Sequence, residues 1–141
     1  MIIEFQKDFR WLSNFEPVKI EYKGITYPSV EAAYMSAKST DAEWKNFCTD
    51  PQNSPGKIKR KSKALKKMIE NWDSEKLIVM RECVTIKFKK EPFRTKLLQT
   101  GTAYIQEGNR WGDKFWGVCL KTNSGRNELG KMIMEIRKEL Q

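Results

Sequence analysis

The sequence predicts an α+β fold that is compact and mostly helical, with a small antiparallel sheet. Apolar residues recur at helical spacing in the middle and at the C-terminal end of the chain. Near the N-terminus, a short segment alternates apolar and polar residues on both sides of a Lys-Gly pair, which is typical of a β-hairpin. A chain of 141 residues without repeats or long linkers fits one domain. We therefore predict a single domain covering residues 1–141.

The hairpin is predicted over residues 18–27, with its turn at Lys23-Gly24. A proline then ends the second strand, and Ser29 is a residue type that caps helix N-termini. These signals predict a helix over residues 30–38.

Five more helices are predicted from capping residues, from Pro and Gly signals and from apolar periodicity. They cover residues 41–47, 57–67, 73–88, 91–101 and 126–140, with Asp41 and Asp73 as N-caps and Gly101 ending the fourth. Residues 50–56 are predicted as a loop, 102–106 as a strand, and 107–123 as loop and short strand. The apolar stripes of the long helices are assigned to the core.

The chain contains no histidine and three widely spaced cysteines, Cys48, Cys83 and Cys119. The absence of histidine excludes Ser-His-Asp and Cys-His nucleophile systems and His-ligated metals. Acid–base chemistry must then fall to Asp, Glu, Lys, Tyr or Cys. We expect free structural cysteines, no metal site and no cofactor.

No segment reaches the roughly 20 apolar residues that span a bilayer. Charged residues also come too early in the N-terminal segment for a secretory signal. We expect a soluble, cytoplasmic protein without a membrane partner. The sequence does not predict an oligomeric state.

The formal charge of +9 suggests a polyanionic partner, either nucleic acid or a phosphorylated small molecule. Much of this charge falls within eleven residues, at Lys57, Lys59, Arg60, Lys61, Lys63, Lys66 and Lys67. This run is either a solvated helix face or a surface that steers phosphate groups or contacts nucleic acid directly.

Glu31 lies in the first turn of the predicted 30–38 helix, where a carboxylate ordinarily interacts with the helix dipole. Tyr34 and Lys38 follow at i+3 and i+7 and share its face. The neighbouring alanines and valine indicate a helix that is buried on more than one side. A buried glutamate needs a partner or a function.

Residues 9–15 interleave aromatic side chains with Arg10 and Asn14. Either this run is an aromatic loop that caps the core, or Arg10 binds phosphate and Asn14 hydrogen-bonds a ribose or base. Two weaker patterns follow: Trp-Gly pairs around an aspartate in residues 107–117, and glycines in residues 125–130 before the last helix. The first can stack on a ligand, and the second can receive a phosphate at a helix N-terminus.

The order of these motifs is more specific than any one of them. The chain carries W-L-S-N-F, then Y-P-S-V-E with Lys38 downstream, Trp72, L-L-Q-T-G, an acidic residue before D-x-x-W-G, and G-x-N-x-L-G. Over residues 5–140 this order resembles the NADAR, or YbiA-like, family of N-glycosidases. The resemblance implies the compact, mostly helical α+β fold of that family. It also implies an enzyme that hydrolyses an N-glycosidic bond in a phosphorylated nucleotide.

Two substrates follow from the resemblance, because some members of the family cleave a ribosylaminouracil phosphate of the riboflavin pathway and others remove ADP-ribose from guanine in nucleic acid. The motif positions imply catalytic roles for Glu31, Trp72 and Asp113. The binding candidates are Arg10, Asn14, Lys38, Trp116 and Asn127, with Arg10 added because of its charge. Glu31 is assigned to the ribosyl side and Asp113 to orienting the ribose or assisting as an acid. Lys38 and Arg10 hold phosphate, and Trp72 or Trp116 stacks on the base.

The chain also departs from the family pattern. Ala32, Ala33 and Met35 stand where many relatives carry an aromatic residue or His and then Gln, and Cys119 replaces the second glycine of W-G-x-G. These departures bear on the specificity of the site. The alternative hypothesis is a non-catalytic module that binds nucleic acid or ADP-ribose.

Overall fold

The computed structural model describes all 141 residues. Its elements are a 3₁₀ helix at Lys7–Leu12, strands β1 Ile20–Tyr22, β2 Ile25–Tyr27, β3 Gly108–Asn109 and β4 Val118–Cys119, and helices α1 Val30–Ser36, α2 Ala42–Thr49, α3 Pro55–Ser62, α4 Trp72–Phe88, α5 Phe93–Gln99 and α6 Glu128–Leu140. β1 and β2 pair antiparallel, whereas β3 and β4 form a short parallel pair. The predicted α+β class with a small antiparallel sheet is confirmed.

The chain forms two compact units. One consists of residues 14–87, and the other combines residues 1–13 with residues 88–141. The assignment of residues 1–141 to a single domain stays a prediction. None of the helices has the length and apolar character needed to cross a lipid bilayer.

The β-hairpin forms at the predicted turn, with Tyr22 paired to Ile25. Lys23 and Gly24 have φ values of 51° and 84°, so both lie in the left-handed region that a two-residue hairpin turn requires. Ser29 then caps α1, because its Oγ accepts the N–H of Ala32 at 3.0 Å.

Helix α2 closes the C-terminal end of α1. Trp44 Nε1 donates to the carbonyl of Met35 at 2.8 Å, and Lys45 Nζ donates to that of Ser36 at 3.1 Å. These bonds add side-chain donors to carbonyls of the last turn of α1, and they place a cation at the negative end of its dipole. As predicted, Asp41 caps α2, but the helix ends two residues later than expected.

The bounds predicted for α3 are wrong at both ends. The helix begins at Pro55, because Ser54 Oγ accepts the N–H of Lys57 and proline is suited to a first turn. It ends at Ser62, so the rest of the predicted 57–67 helix is turn and irregular chain. Lysines at i, i+4 spacing repel each other, which disfavours extending this helix.

Helix α4 begins earlier than predicted, at Trp72. The carbonyl of Asn71 accepts the N–H groups of Ser74 and Glu75 at 3.1 and 3.0 Å, so Asp73 lies in the first turn and is not the cap. The apolar stripe packs as expected, with Met80, Cys83, Val84 and Phe88 buried and Leu77 half-buried.

The three cysteines are free and buried, as predicted. Burial raises the pKa of the Cys48 and Cys83 thiols to about 12, so neither is a nucleophile at neutral pH.

Gly101 ends α5 with a φ of 63°, as predicted. The strand predicted at residues 102–106 does not form. Ile105 makes a single bridge to Ile2, because the N-terminal segment offers one residue of pairing before it bends at Glu4. Helix α6 buries its predicted stripe at Leu129, Met132, Ile133 and Ile136, while Leu140 is half-buried.

Candidate functional site

Glu31 lies in the first turn of α1 and is buried, with 6% of its surface exposed. Its backbone N–H donates to the carbonyl of Asn14 at 3.1 Å. Ser29 caps the same turn, so two local hydrogen bonds fix the backbone from which the Glu31 side chain extends. The apolar neighbours that predicted burial, Val30, Ala32 and Ala33, are fully buried.

Lys38 follows α1 and is half-buried. Its Nζ donates to Ser62 Oγ at 3.3 Å and lies 6.0 Å from the centroid of the Trp72 ring. The buried Trp72 ring also packs against Tyr34, with a centroid distance of 5.1 Å and an interplanar angle of 50°. An ammonium group, an indole and a phenol therefore lie together beside α1.

The position of Trp72 depends on the chain between α3 and α4. The N–H of Ile69 donates to the carbonyl of Lys38 at 2.8 Å, which ties this connection to the end of α1. Trp72 opens α4 three residues later. We call Glu31, Tyr34, Lys38 and Trp72 the α1 cluster.

The charges of the α1 cluster are coupled. Burial lowers the pKa of Lys38, and the nearby charge of Glu31 partly offsets this by raising it. Lys59, Lys63 and Lys76 lower the pKa of Lys38 further. The cluster therefore combines a buried carboxylate with one half-buried cation and has further cations near it, so it can bind a ligand that has an anionic group and a planar ring.

Asn14 borders the α1 cluster through its backbone, because its carbonyl holds the N–H of Glu31. Its side chain donates to Met80 Sδ at 3.4 Å. Arg10 belongs to the other unit, where it is exposed on the 3₁₀ helix. The binding roles of Asn14 and Arg10 stay predictions.

Asp113 organises a loop in the unit formed by residues 1–13 and 88–141. Its Oδ1 accepts the N–H groups of Phe115 and Trp116 at 3.1 and 3.0 Å. The Asn109 side chain makes two hydrogen bonds to the Asp113 backbone. Its Oδ1 accepts the N–H at 3.0 Å, and its Nδ2 donates to the carbonyl at 2.9 Å. The Asp113 carboxylate therefore holds Trp116 in place, which is a structural task that the motif alone does not reveal.

The residues around Trp116 are closely packed. Its half-buried ring meets Phe115 edge-on, at a centroid distance of 4.8 Å and an angle of 89°. At Gly117 an added Cβ would collide with the backbone carbonyl of Glu107, so a larger residue would require the backbone to shift. Glu107 also accepts from Asn109 Nδ2 at 3.2 Å. Sequence reasoning missed Asn109, whose only signal was its place before the aspartate motif.

Asn127 is buried and has a left-handed backbone with a φ of 54°. Its Oδ1 accepts the N–H of Glu107 at 3.0 Å, and its Nδ2 donates to the carbonyl of Ile105 at 3.0 Å and to Tyr104 Oη at 3.3 Å. These bonds use both amide hydrogens to fix residues 104–107. The substrate-binding role of Asn127 stays a prediction.

The hypothesis that the start of α6 receives a phosphate is wrong. The N–H groups of residues 126–129 donate to the carbonyls of residues 114–117, at 2.7 to 3.2 Å. The Arg126 guanidinium pairs with Glu128 at 2.9 Å and lies over the Phe115 ring. The helix N-terminus therefore holds the Asp113 loop and offers no N–H group from these four residues to a ligand.

The structure separates the predicted site residues into two sets. Asn14, Glu31, Lys38 and Trp72 lie together in residues 14–87, while Arg10, Asp113, Trp116 and Asn127 belong to the other unit. Tyr34 and Ser62 join the first set through contacts that the sequence did not predict, although Tyr34 shares the helix face of Glu31. No three His, Cys, Asp or Glu side chains are grouped so as to hold a metal ion.

The fold and these motifs define a small α+β protein of a known architecture. The chain superimposes on the NMR structure of Escherichia coli YbiA with a TM-score of 0.85 at 30% identity, covering 99% of this chain and 84% of that one. Residues 4–141 match the NADAR domain family. The chain belongs to this family, as the order of motifs predicted.

Similar proteins carry two kinds of name. The N-glycosidase YbiA of Escherichia coli is 31% identical over 94% of this chain and 82% of its own length. An N-glycosidase of Nostoc punctiforme is also 31% identical, over 91% of this chain and 83% of its own length. A riboflavin biosynthesis protein of Vibrio vulnificus is 30% identical over 93% of this chain, which spans 35% of that longer protein.

Proposed function

We propose that this protein is an N-glycosidase that hydrolyses the bond between a ribose carbon and a base nitrogen in a phosphorylated nucleotide. The observation that carries the proposal is the α1 cluster, where a buried carboxylate, a half-buried ammonium and an indole lie together. Two relatives that share more than 80% of their length with this chain are named N-glycosidases, which supports the same reaction.

The reaction needs a group that tolerates positive charge on the sugar. As the C1′–N bond breaks, its electron pair leaves with the base and the ribose takes on oxocarbenium character. Water then supplies the hydroxyl that bonds to C1′ and, in net terms, the proton that ends on the base nitrogen. The Glu31 carboxylate is suited to stabilise the cation and to accept the proton of the attacking water.

Lys38 and Trp72 bind the rest of the nucleotide in this proposal. The Lys38 ammonium pairs with a phosphate group. The Trp72 ring stacks on the base, a contact that contributes about 1–3 kcal/mol in other proteins. Ser62 orients the ammonium through its hydrogen bond, and Tyr34 supports the indole.

The remaining candidates take supporting roles. Asp113 and Trp116 form one loop, in which the carboxylate orients the ribose or assists as an acid and the ring offers a second stacking surface. Asn14, Arg10 and Asn127 contribute hydrogen bonds or charge to substrate binding. These roles depend on substrate contacts, so each is tested by substitution.

Two substrates fit the proposal. One is a ribosylaminouracil phosphate, which agrees with the name of the Vibrio relative. The other is ADP-ribose attached to guanine in nucleic acid, which agrees with the net charge of +9. Both place an N-glycosidic bond beside phosphate, so the α1 cluster accommodates either in chemical terms.

Mass spectrometry of the released base distinguishes the substrates. The purified protein is incubated with ribosylaminouracil phosphate and, separately, with DNA that carries ADP-ribosylated guanine. We expect release of the base from the first or of free ADP-ribose from the second. Binding of both without release from either would contradict the proposal and favour the non-catalytic module.

A further inference from the structure

The positive charge of this protein is concentrated in one segment. Residues 51–69 contain seven lysines and arginines and no acidic residue. The other 20 cationic side chains of the protein nearly balance its 18 acidic ones. We call Lys57, Lys59, Arg60, Lys61, Lys63, Lys66 and Lys67 the α3 basic surface. Six of them are exposed and Lys59 is half-buried.

One row of this surface lies over an aromatic ring. Lys57 and Lys61 are one helical turn apart, and their Nζ atoms lie 5.6 and 5.0 Å from the centroid of Phe47. Phe47 itself stacks on Trp44, at 5.7 Å and an angle of 14°. Two ammonium groups are therefore held around one ring, where their mutual repulsion favours a bound anion.

A second row leads towards the α1 cluster. Lys59 and Lys63 are also one turn apart, and both lower the pKa of Lys38. Ser62, which lies between them in sequence, bonds to the Lys38 ammonium. The first row lies on α3 and the second ends at the residue just after it. The second row therefore lies near Lys38, the proposed phosphate-binding lysine, to which Ser62 is hydrogen-bonded.

We propose that the α3 basic surface binds the phosphate backbone of a nucleic-acid strand whose modified nucleotide occupies the α1 cluster. This inference rests on the proposed N-glycosidase function and assigns it a polymeric substrate. A free nucleotide carries one or two phosphate groups, which Lys38 and a neighbouring cation would satisfy. Four further cations in two rows, with three more close to them in sequence, match a ligand whose phosphates repeat at regular intervals.

Binding of an unmodified single-stranded oligonucleotide, measured by fluorescence anisotropy, tests the surface without any turnover. The variant K57Q/K61Q removes two exposed charges that lie outside the α1 cluster. K131Q/K138Q is the matched control, since it removes two exposed lysines from α6. We expect K57Q/K61Q to weaken binding about tenfold at low salt and the control to change it less than twofold. The slope of log K against log salt should become shallower by about 1.4 in K57Q/K61Q.

Equal losses in both variants, or a wild-type protein that does not bind the oligonucleotide, would overturn the inference. Vesicles containing phosphatidylserine serve as a second probe. If they bind through Lys57 and Lys61 whereas the oligonucleotide does not, the surface recognises a membrane instead.

Turnover separates this inference from the proposed function. The same N-ribosyl lesion is presented as a mononucleotide and within an oligonucleotide. For the oligonucleotide, we expect K57Q/K61Q to lower kcat/KM about tenfold by raising KM. For the mononucleotide, kcat/KM should not change. Equal kcat/KM on both substrates in the wild type would overturn the assignment of a polymeric substrate, but it would not contradict the proposed N-glycosidase activity. Strand binding that depends on Lys57 and Lys61, without release from any substrate, would instead defeat the N-glycosidase proposal.

Discussion

The two units of this protein use the polar residues of their motifs in different ways. In residues 14–87, Glu31 is buried among apolar neighbours and Lys38 combines one hydroxyl contact with an aromatic ring. In residues 88–141, the Asp113 side chain bonds to backbone N–H groups of its own loop, and the Asn127 side chain bonds to backbone groups of Ile105 and Glu107. The first arrangement presents charge and an aromatic ring for chemistry, and the second fixes a loop.

This difference shows that a family motif marks two kinds of residue. Trp116 and Gly117 lie in the loop that Asp113 and Asn109 hold together, so the spacing of the motif there reflects geometry as much as reactivity. The α1 cluster draws on helices α1 and α4 and on the turn after α1, and it contains a buried carboxylate. Substitution can test whether the two kinds of residue behave as this comparison requires.

The largest expected effect is on turnover at Glu31. Glu31→Gln keeps the shape of the side chain but removes its charge, so release of the base should fall about 10³-fold or more. Glu43→Gln is the matched control, because Glu43 occupies the same position in the first turn of α2 but is exposed. It should retain wild-type turnover. Mass spectrometry of released base measures both, and thermal unfolding checks that both fold.

The assignment of Glu31 fails if Glu31→Gln turns over at the wild-type rate. It also fails if both variants lose activity equally, because the effect would then belong to the helix dipole and not to the site.

The second effect is on stability, at Asn127. Asn127→Ala removes three hydrogen bonds from a buried position and should lower the free energy of unfolding by about 3 kcal/mol. Asn123 has the same φ of 54° but is exposed, so Asn123→Ala reports the backbone strain alone, about 1 kcal/mol. Urea unfolding compares them. Equal losses would mean that the hydrogen bonds of Asn127 add nothing.

Much of the fold could be predicted from local chemistry. Lys23-Gly24 and Ser29 specify the hairpin turn and the first helix start, because each satisfies its backbone requirement within a few residues. The α3 bounds were wrong because proline and glycine were interpreted as loop signals, although Ser54 caps a helix that begins at Pro55. The prediction of a strand at residues 102–106 was wrong because strand pairing there depends on the N-terminal segment, about which a local pattern carries no information.

The candidate site was predictable in part. The burial of Glu31 followed from its apolar neighbours, and the position of Tyr34 on the same face followed from helical spacing. The predicted 30–38 helix ends earlier, at Ser36, so Lys38 lies in the turn that follows. The contact between Lys38 and Trp72 joins residues 34 positions apart, so only tertiary structure could bring them together. The roles of Asp113 and Asn127 in fixing loops were also not predicted, because they depend on backbone groups that the sequence does not distinguish.

A third prediction concerns a buried charge in residues 14–87. Lys87 is fully buried on α4, and burial lowers its pKa to about 7 although the charge of Glu16 acts to raise it. Below pH 7 the folded protein therefore bears the full cost of the buried ammonium, and this cost is relieved as the pH rises towards 10.5, because the unfolded chain keeps its proton longer. Between pH 7 and pH 9, wild-type stability should rise by about 2 kcal/mol relative to Lys87→Met. Urea unfolding at several pH values measures the difference, and a pH-independent difference would contradict it.

The smallest effect separates the two roles of Asp113. Asp113→Asn keeps an Oδ1 that can accept the N–H groups of Phe115 and Trp116, so its free energy of unfolding should stay within about 0.5 kcal/mol of wild type. Asp113→Ala removes that acceptor and should cost about 1 kcal/mol. If the charge also assists the reaction, the Asn variant should lose about tenfold in turnover despite its intact loop. Wild-type turnover in Asp113→Asn, with a loss in Asp113→Ala, would confine this carboxylate to building the loop and leave Glu31 as the one carboxylate assigned to the reaction.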